Sequence, residues 1–228
     1  YLGTKSLPVY SYTVKVSISN SNIAASTISK SIKVNKIKAT ISASSITTYY
    51  KSGKKLSINL YKTANKDPLK SVKLTVKLYK GKKLYKTYYV TTNSKGVATL
   101  SLSSLPVYSY TAKISLSSST MSASTISRTV KISKIKASLT ADSISTYYKS
   151  GKKMYITLKD TNNNVLLKSK KLTIKVYKGS KLYKTYYATT NSKGVASFNT
   201  NNLATGTFTV KVYYSTSTIA ASTISRTI

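Results

Sequence analysis

The chain lacks several residue types on which enzymes and metal sites depend. Its 228 residues include no Cys, His, Glu, Gln or Trp, and its only acids are Asp67, Asp142 and Asp160. General acid–base catalysis needs a titratable group tuned near the working pH, and a Ser-His-Asp site needs His. Zinc sites use imidazole or thiolate ligands, and calcium sites use clustered carboxylates. We therefore expect a protein that is not an enzyme and that uses no cofactor and no metal ion.

The same absences limit how the fold can be cross-linked. Without Cys there is no disulfide, and the redox compartment cannot be inferred from thiols. A Thr–Gln ester bond is excluded because Gln is absent, whereas a single Lys–Asn bond near Asp142 or Asp160 stays open. No apolar run approaches the roughly 20 residues of a membrane helix. We expect no membrane insertion of this segment.

The chain does contain one long sequence twice. KLTVKLYKGKKLYKTYYVTTNSKGVA at 73–98 returns as KLTIKVYKGSKLYKTYYATTNSKGVA at 171–196, an offset of 171 − 73 = 98. LPVYSY at 7–12 returns at 105–110 with the same offset, 105 − 7 = 98. An offset close to the length of one domain indicates tandem copies of one folding unit. The predicted domains are the C-terminal part of a preceding repeat at 1–33, a full repeat at 34–131 and another at 132–228, so we expect a window from a longer array.

Each repeat has the pattern of short β-strands. Apolar residues alternate with Lys and Thr at 73–78, which predicts a strand with one buried face. A turn is predicted at Lys80 and Gly81, and a second hairpin turn at 93–96 after a strand from about 84 to 91. Seven or eight such strands per repeat, without helical periodicity, predict an all-β fold: tandem immunoglobulin-like antiparallel β-sandwich repeats of 98 residues.

Two positions refine this prediction. Tyr110 lies near the start of the penultimate strand, where a tyrosine corner is expected, although the following repeat has Phe208 there. Strict alternation places Arg128 on the same face as Val130, and Arg226 occupies the equivalent position. Because a buried unpaired charge is unfavourable, we expect a β-bulge or an end-of-sheet position at Arg128.

Positive charge dominates the composition. Lys and Arg number 38 against three acids, which gives a net charge of +35, and Arg occurs only at 128 and 226. The lysines are spread along strands and turns rather than gathered in a tail. A field of one sign attracts polyanions and repels other copies of the chain, and salt weakens both effects. We favour functional polyanion contact over compositional drift, because such one-sided charge opposes the compact state.

Lysine and tyrosine side chains converge on the central hairpin of each repeat. Tyr offers a flat apolar ring with a hydroxyl and Lys offers a point charge, which together suit an acidic glycan or another polyanion. The alternative is that the tyrosines pack across a pleated face and the lysines protect strand edges from aggregation. The predicted binding residues are Lys77, Tyr79, Lys80, Lys82, Lys83 and Tyr85, with Lys175, Tyr177, Lys178, Lys181 and Tyr183 in the second full repeat.

Several motifs of the second full repeat resemble a known family. A Tyr-Tyr/Gly turn leads into a strand, a Thr-rich strand ends in a Gly-Val-Ala turn, and a Leu-x-x-Gly-x-(aromatic)-Thr-Val segment follows. These motifs lie at Tyr147, Tyr148 and Gly151, then at 189–196, then at Leu203, Gly206 and Phe208. They resemble the Ig-like repeats of adhesin-like surface proteins of methanogenic archaea, and the resemblance covers both full repeats. It implies a large cell-envelope protein that projects tandem domains outward, although this chain has far fewer acidic turn residues than such repeats usually carry.

Three functions fit these observations. The first is a non-enzymatic structural or adhesive stalk at the extracellular cell surface, whose neighbouring repeats touch an acidic cell-wall polymer, a glycan or a partner cell. The second is a subunit of a self-assembling extracellular filament or sheath, in which copies of the chain share strands by β-strand addition. The third is a nonspecific nucleic-acid binder, although Arg is scarce and no recognition helix is expected. We rank the functions in this order.

Overall fold

The computed structural model describes residues 3, 6–20, 22–23 and 25–228. These residues form strands, turns and loops without any helix, so none of them belongs to a helix that could cross a membrane. The all-β prediction is confirmed. The chain groups into two compact units: unit 1 comprises Tyr1–Thr47, Lys51–Ser104 and Tyr108–Lys131, and unit 2 comprises Thr48–Tyr50, Leu105–Val107 and Ile132–Ile228.

The described residues contain 20 strands. The first two are β1 (Ser11–Val16) and β2 (Ile28–Lys33). The next nine are β3 (Ile37–Ala43), β4 (Ile46–Tyr49), β5 (Lys55–Lys62), β6 (Lys73–Lys80), β7 (Lys83–Thr91), β8 (Val97–Ser101), β9 (Tyr108–Leu116), β10 (Met121–Ser122) and β11 (Ile126–Ser133). The last nine are β12 (Ile135–Thr140), β13 (Lys153–Asp160), β14 (Val165–Leu166), β15 (Lys171–Lys178), β16 (Lys181–Thr189), β17 (Val195–Asn199), β18 (Thr209–Tyr213), β19 (Ile219–Ala221) and β20 (Ile224–Thr227).

Strands β3 to β11 form two sheets around one core. One sheet has the order β10-β3-β5-β8 and the other has the order β4-β11-β9-β6-β7. The apolar residues of each strand occupy alternate positions, so one face of each strand is buried in this core. The largest contributions come from Leu56, Ile58 and Leu60 of β5, from Leu74, Val76 and Leu78 of β6, and from Ala112 and Ile114 of β9. The first strand of the sandwich is divided into β3 and β4, which lie in different sheets. Two sheets that share a core in this way define an immunoglobulin-like sandwich.

Unit 2 repeats this arrangement. One of its sheets has the order β14-β13-β12-β19, with β17 also paired to β13, and the other has the order β16-β15-β18-β20. Its core contains Met154, Ile156 and Leu158 of β13 together with Leu172, Ile174 and Val176 of β15. Strand β20 pairs with β18 in the same way as β2 pairs with β1. The register is also the same, because Val210 lies opposite Arg226 and the equivalent Val14 lies opposite Lys30.

A tyrosine corner is present at Tyr12, the equivalent of Tyr110 one repeat earlier. Its hydroxyl donates a hydrogen bond to the carbonyl oxygen of Pro8 over 2.9 Å. This contact fixes the chain where it enters β1, which is the role of such a corner. Tyr110 and Phe208 are both buried, so the aromatic ring belongs to the core whether or not a hydroxyl is present.

The predicted hairpin turn at 93–96 joins two sheets instead. Strands β7 and β8 lie in different sheets, so the hairpin prediction is wrong. The turn itself is well formed, because the Asn93 side-chain oxygen accepts hydrogen bonds from the backbone N–H groups of Lys95 and Val97. Turn-forming residues specify a change of direction, but they do not specify which strand the next segment pairs with.

The two arginines are satisfied at the end of a neighbouring strand. Arg128 Nε donates to the carbonyl oxygen of Ala43, the last residue of β3, and Arg226 Nε donates to the carbonyl oxygen of Ala141. The register of β18 and β20 is continuous through Arg226, so the alternative of a β-bulge is wrong there. Both side chains are half-buried rather than enclosed in the core, and the carbonyl partner offsets part of the loss of hydration.

Candidate functional site

The predicted lysine and tyrosine residues lie around the β6–β7 hairpin of unit 1. Strand β6 pairs with β7 on one side and with β9 on the other. Since Leu74, Val76 and Leu78 point into the core, the alternate residues of β6 and their cross-strand partners point away from it. We call this set the outer face of unit 1. Its members are Lys73, Thr75, Lys77 and Tyr79 of β6, Leu84, Thr87, Tyr89 and Thr91 of β7, and Thr111, Lys113 and Ser115 of β9.

Unit 2 carries an equivalent outer face. The pairing of β15 with β16 and β18 follows the same register, and Tyr213 replaces the serine found in unit 1. Its members are Lys171, Thr173, Lys175 and Tyr177 of β15, Leu182, Thr185, Tyr187 and Thr189 of β16, and Thr209, Lys211 and Tyr213 of β18. Apart from Leu84 and Leu182, all members of both faces are Lys, Thr, Ser or Tyr, so each face combines ammonium groups, hydroxyls and aromatic rings.

A β-bulge separates the predicted residues of unit 1 into two groups. The register shifts between Leu78 and Tyr79, which leaves Tyr85 without a cross-strand partner. The ring of Tyr85 turns toward the core, with its centroid 5.3 Å from that of Tyr110. Lys80 Nζ lies 4.4 Å from the Tyr85 centroid. Lys80 and Tyr85 therefore belong to the side opposite Lys77 and Tyr79.

The same separation occurs in unit 2. The register shifts between Val176 and Tyr177, and the Tyr183 ring lies 5.2 Å from the Phe208 ring between centroids. Lys178 Nζ is 6.0 Å from the Phe208 centroid. Lys175 and Tyr177 lie on the outer face. The turn lysines form a third group, which comprises the exposed Lys82, Lys83 and Lys181.

Lysine ammonium groups lie over the tyrosine rings of both outer faces. Contacts of this kind contribute about 0.5–1 kcal/mol at exposed sites and hold the ammonium close to the sheet. In unit 1, Lys113 Nζ is 5.2 Å from the Tyr79 centroid, and Lys73 Nζ is 4.5 Å from that of Tyr89. In unit 2 the corresponding distances are 5.2 Å for Lys211 over Tyr177 and 4.4 Å for Lys171 over Tyr187.

Each outer face places two lysines directly opposite one another. Lys77 pairs with Lys113 across β6 and β9, and Lys175 pairs with Lys211 across β15 and β18. Opposed residues on one face have Cβ atoms about 4.5–5.5 Å apart, and like charges in this arrangement are destabilising. None of the strands that form the outer faces contains an acidic residue. The two lysine pairs therefore concentrate positive charge that no acid on these strands neutralises.

The hydroxyls of Tyr213 and Tyr110 stay protonated at neutral pH. Burial, followed by a hydrogen bond with Tyr177, raises the pKa of Tyr213 on the outer face of unit 2. Burial, with smaller contributions from three neighbouring tyrosines, raises the pKa of Tyr110 to about 12 in the core of unit 1. Across the described part of the chain, no three His, Cys, Asp or Glu side chains form a group that could hold a metal ion. The chemistry that the outer face offers is thus attraction of anions, hydrogen bonding and contact with flat rings.

Sequence reasoning missed Lys113 and Lys211. Alternation along β9 already indicates that Lys113 points outward, yet that pattern does not reveal which residue lies opposite it. The pairing joins strands that are distant in the sequence, and it becomes visible only with the sheet register. The threonines of the outer face were missed for the same reason.

Comparisons with known proteins give similarity to solved structures only. No protein-family model matches the chain, and no curated protein matches it. One similar structure is a tetra-tandem repeat in the extending region of a large adhesion protein, with 16% identity over 98% of this chain and a TM-score of 0.39. Another is invasin, a bacterial integrin-binding protein, with 15% identity over 82% of this chain and a TM-score of 0.42. A third is the adhesin InvE of Yersinia pseudotuberculosis, with 13% identity over 85% of this chain and a TM-score of 0.32.

The chain spans only part of these proteins. It covers 56% of the tetra-tandem repeat structure, 38% of the invasin structure and 58% of the InvE structure. Repeat domains of adhesion proteins are thus among the structures to which this chain is similar. The assignment of an immunoglobulin-like fold rests on the strand order and core described above.

Proposed function

We propose that this chain is a segment of a non-enzymatic cell-surface adhesion protein, whose repeats contact anionic polymers of a cell envelope. The observation that carries the proposal is the opposed lysine pair, which occurs in the same register on both units and has no acid on its strands. Like charges that lie opposite one another oppose folding. The presence of this arrangement in both units therefore favours a role in binding. The motifs at 147–151 and 203–208, which resemble archaeal adhesin-like repeats, support a location on an archaeal cell surface.

The proposal assigns the repeats two tasks. Neighbouring sandwiches of the chain form a structural stalk, and their outer faces bind a negatively charged polymer. The +35 charge attracts such a polymer over a distance that salt shortens to about 8 Å at 0.15 M. Contact within the outer face is less screened than attraction at a distance, so binding that survives this salt concentration indicates a site rather than a general field.

The test is binding of the whole 228-residue chain to purified acidic cell-wall polymer, to DNA and to a neutral glycan across a salt series. We expect binding to the acidic wall polymer to persist above about 0.15 M salt. Equal weak binding to every polyanion, abolished at that salt concentration, would contradict the proposal. That result would mean that the repeats act mainly as a spacer and that their positive charge attracts any polyanion without a specific binding site.

A second candidate function is assembly of copies by strand addition. Strands β1 and β2 form a separate two-stranded sheet, on which Val16 and Ile28 are more than half exposed, at 58% and 57%. The equivalent of Val16 in the next repeat, Ile114, is buried in its sandwich, so the apolar face of this short sheet is one that further strands cover, whether they belong to the same protein or to another copy. Sedimentation of the chain with and without a polyanion tests this candidate. Polymers support a filament, whereas monomers under both conditions favour the stalk.

A further inference from the structure

We infer that the outer face recognises an acidic polysaccharide, which is held by the opposed lysine pairs and the hydroxyls around them rather than by the turn lysines. The inference rests on the proposed function and names the ligand class and the residues of its site. In unit 1 the centre of the site is Lys77 and Lys113, and in unit 2 it is Lys175 and Lys211.

The surroundings of the lysine pair suit a ligand with many hydroxyl groups. Thr87 lies beside Lys77 on β7, Thr111 lies opposite Tyr79 on β9, and Thr75 occupies the next outward position on β6. Each threonine hydroxyl can both donate and accept a hydrogen bond. Sugar hydroxyls have the same capacity, so a polysaccharide can pair with these side chains while its acidic groups lie on the ammonium groups. Charge alone would not require hydroxyls at the neighbouring positions.

Exposed rings complete the face. Tyr89 is 64% exposed and Tyr187 is 61% exposed, although each has a lysine ammonium near its ring. An open ring on a rigid strand offers a flat apolar platform, and the apolar face of a sugar ring can pack on it. In unit 2, Tyr213 adds a third tyrosine to the face, opposite Thr173. The site thus has a charged centre with apolar platforms on the same surface.

The spacing of charge favours a polysaccharide over a nucleic acid. On β6 the outward lysines are Lys73 and Lys77, separated by four residues, or about 13 Å along a strand. A nucleic acid strand carries one phosphate for about every 3.4 Å of helix axis. A polysaccharide with one acidic group on each sugar spaces its charges more widely than a nucleic acid strand does, so it matches the sparser row of lysines better. The outer faces also lack Arg, which reads base edges and phosphates in two-point contacts.

The test compares two variants of the whole chain that lose the same amount of charge. The outer-face variant carries Lys77→Ser, Lys113→Ser, Lys175→Ser and Lys211→Ser. The control variant carries Lys82→Ser, Lys83→Ser, Lys181→Ser and Lys193→Ser, at exposed positions in turns or at the first residue of β7 and β16. Titration calorimetry at 0.15 M NaCl measures the affinity for polygalacturonate, dextran sulfate, neutral dextran and single-stranded DNA. Circular dichroism establishes that both variants are folded.

We expect the outer-face variant to bind polygalacturonate or dextran sulfate at least tenfold more weakly than the unmodified chain, and the control variant to change by less than about twofold, since distant exposed charges are screened. Tighter binding of polygalacturonate would identify carboxylate as the acidic group of the ligand, and tighter binding of dextran sulfate would identify sulfate. Equal losses in the two variants, or tighter binding of DNA than of either polysaccharide, overturn the inference. If the unmodified chain binds no anionic polymer at all, the proposed function fails as well.

Discussion

At the scale of single residues, Gly96 is required both by its backbone conformation and by the space around it. Its φ of +70° lies in the left-handed region that residues with a Cβ rarely adopt. A Cβ at this position would lie 2.6 Å from the carbonyl oxygen of Leu60 and 2.9 Å from Pro68 Cβ. Gly194 is confined in the same way beside Leu158 and Leu166. The turn that joins β7 to β8 therefore packs tightly against the end of β5.

We predict that Gly96→Ala lowers the free energy of unfolding by about 2–4 kcal/mol, because left-handed strain and overpacking add. The matched control is Gly81→Ala, where φ is +58° and nothing lies within 4 Å of the added Cβ. That change should cost about 1 kcal/mol, from strain alone. Denaturant unfolding of both variants measures the difference. Similar losses would show that the contacts at Leu60 and Pro68 relax without cost.

The buried tyrosine of unit 1 gives a pH dependence. Burial raises the pKa of Tyr110 to about 12, above its ordinary value in the unfolded chain. The stabilisation from its protonated form is complete below the unfolded-state pKa of about 10 and is lost as the pH rises toward 12. We predict that Tyr110→Phe, which places the residue of the equivalent position 208 here, reduces the alkaline loss of stability.

The measurement for this prediction is the difference in free energy of unfolding between the unmodified chain and Tyr110→Phe at pH 8, 10 and 11.5. All other titratable groups are common to both proteins, so their contributions cancel in the difference. The difference should move in favour of the phenylalanine variant by at most about 1.4 kcal/mol per pH unit above pH 10. A constant difference at all three pH values contradicts the prediction.

At the scale of strands, the lysine pair of the outer face opposes folding and favours anion binding. We predict that Lys113→Glu raises the free energy of unfolding by about 0.5–1 kcal/mol at low salt, because it replaces a like-charge pair by an opposite-charge pair with Lys77. The same variant should bind acidic polysaccharide more weakly. Thermal unfolding and calorimetry of one preparation measure both effects.

The control for this variant is Lys82→Glu, which makes the same change in net charge at the exposed turn. Its stability should rise only by the small amount that comes from reduced overall repulsion. If the two variants gain equal stability, the opposed lysines do not interact strongly enough to matter. If Lys113→Glu is less stable than the unmodified chain, the prediction is wrong.

The strands show how much of the structure could be predicted from the sequence. Alternation predicted the buried face of β6 because burial on one side imposes a period of two. It could not predict that β7 and β8 lie in different sheets, since pairing depends on contacts between distant residues. It also placed Tyr85 with Lys77, because the β-bulge that separates them follows from the twist and register of the assembled sheet. The boundaries of the 98-residue repeats and the binding role of the hairpin residues stay predictions.

At the scale of the whole molecule, two outer faces on one chain give a prediction about avidity. A long polymer that occupies one face is held near the other, so the second contact forms at a high effective concentration. We predict that Lys77→Ser with Lys113→Ser, which disables the face of unit 1 alone, weakens binding of long polygalacturonate at least tenfold. The same change should weaken binding of a short oligosaccharide only about twofold, because such a ligand occupies one face at a time.

Calorimetry with chains of two lengths measures this difference, and Lys175→Ser with Lys211→Ser provides the reciprocal variant. Equal losses for long and short ligands would mean that the two faces act independently. A loss in one reciprocal variant but not in the other would assign binding to a single unit.

The distribution of lysines has a further consequence for protease resistance. Trypsin cleaves after Lys and Arg, and this chain offers it 38 such residues, many of them on strands. A strand residue that takes part in a β-ladder cannot enter a protease cleft until the ladder opens, whereas a turn lysine such as Lys51 or Lys66, both with positive φ, is accessible in the folded chain. Cleavage within a strand therefore measures local opening of the sheet, because a strand that separates from its neighbours exposes its lysines to the protease. The strands therefore resist digestion only for as long as the sheets stay paired, whereas the exposed turns are open to cleavage in the folded chain.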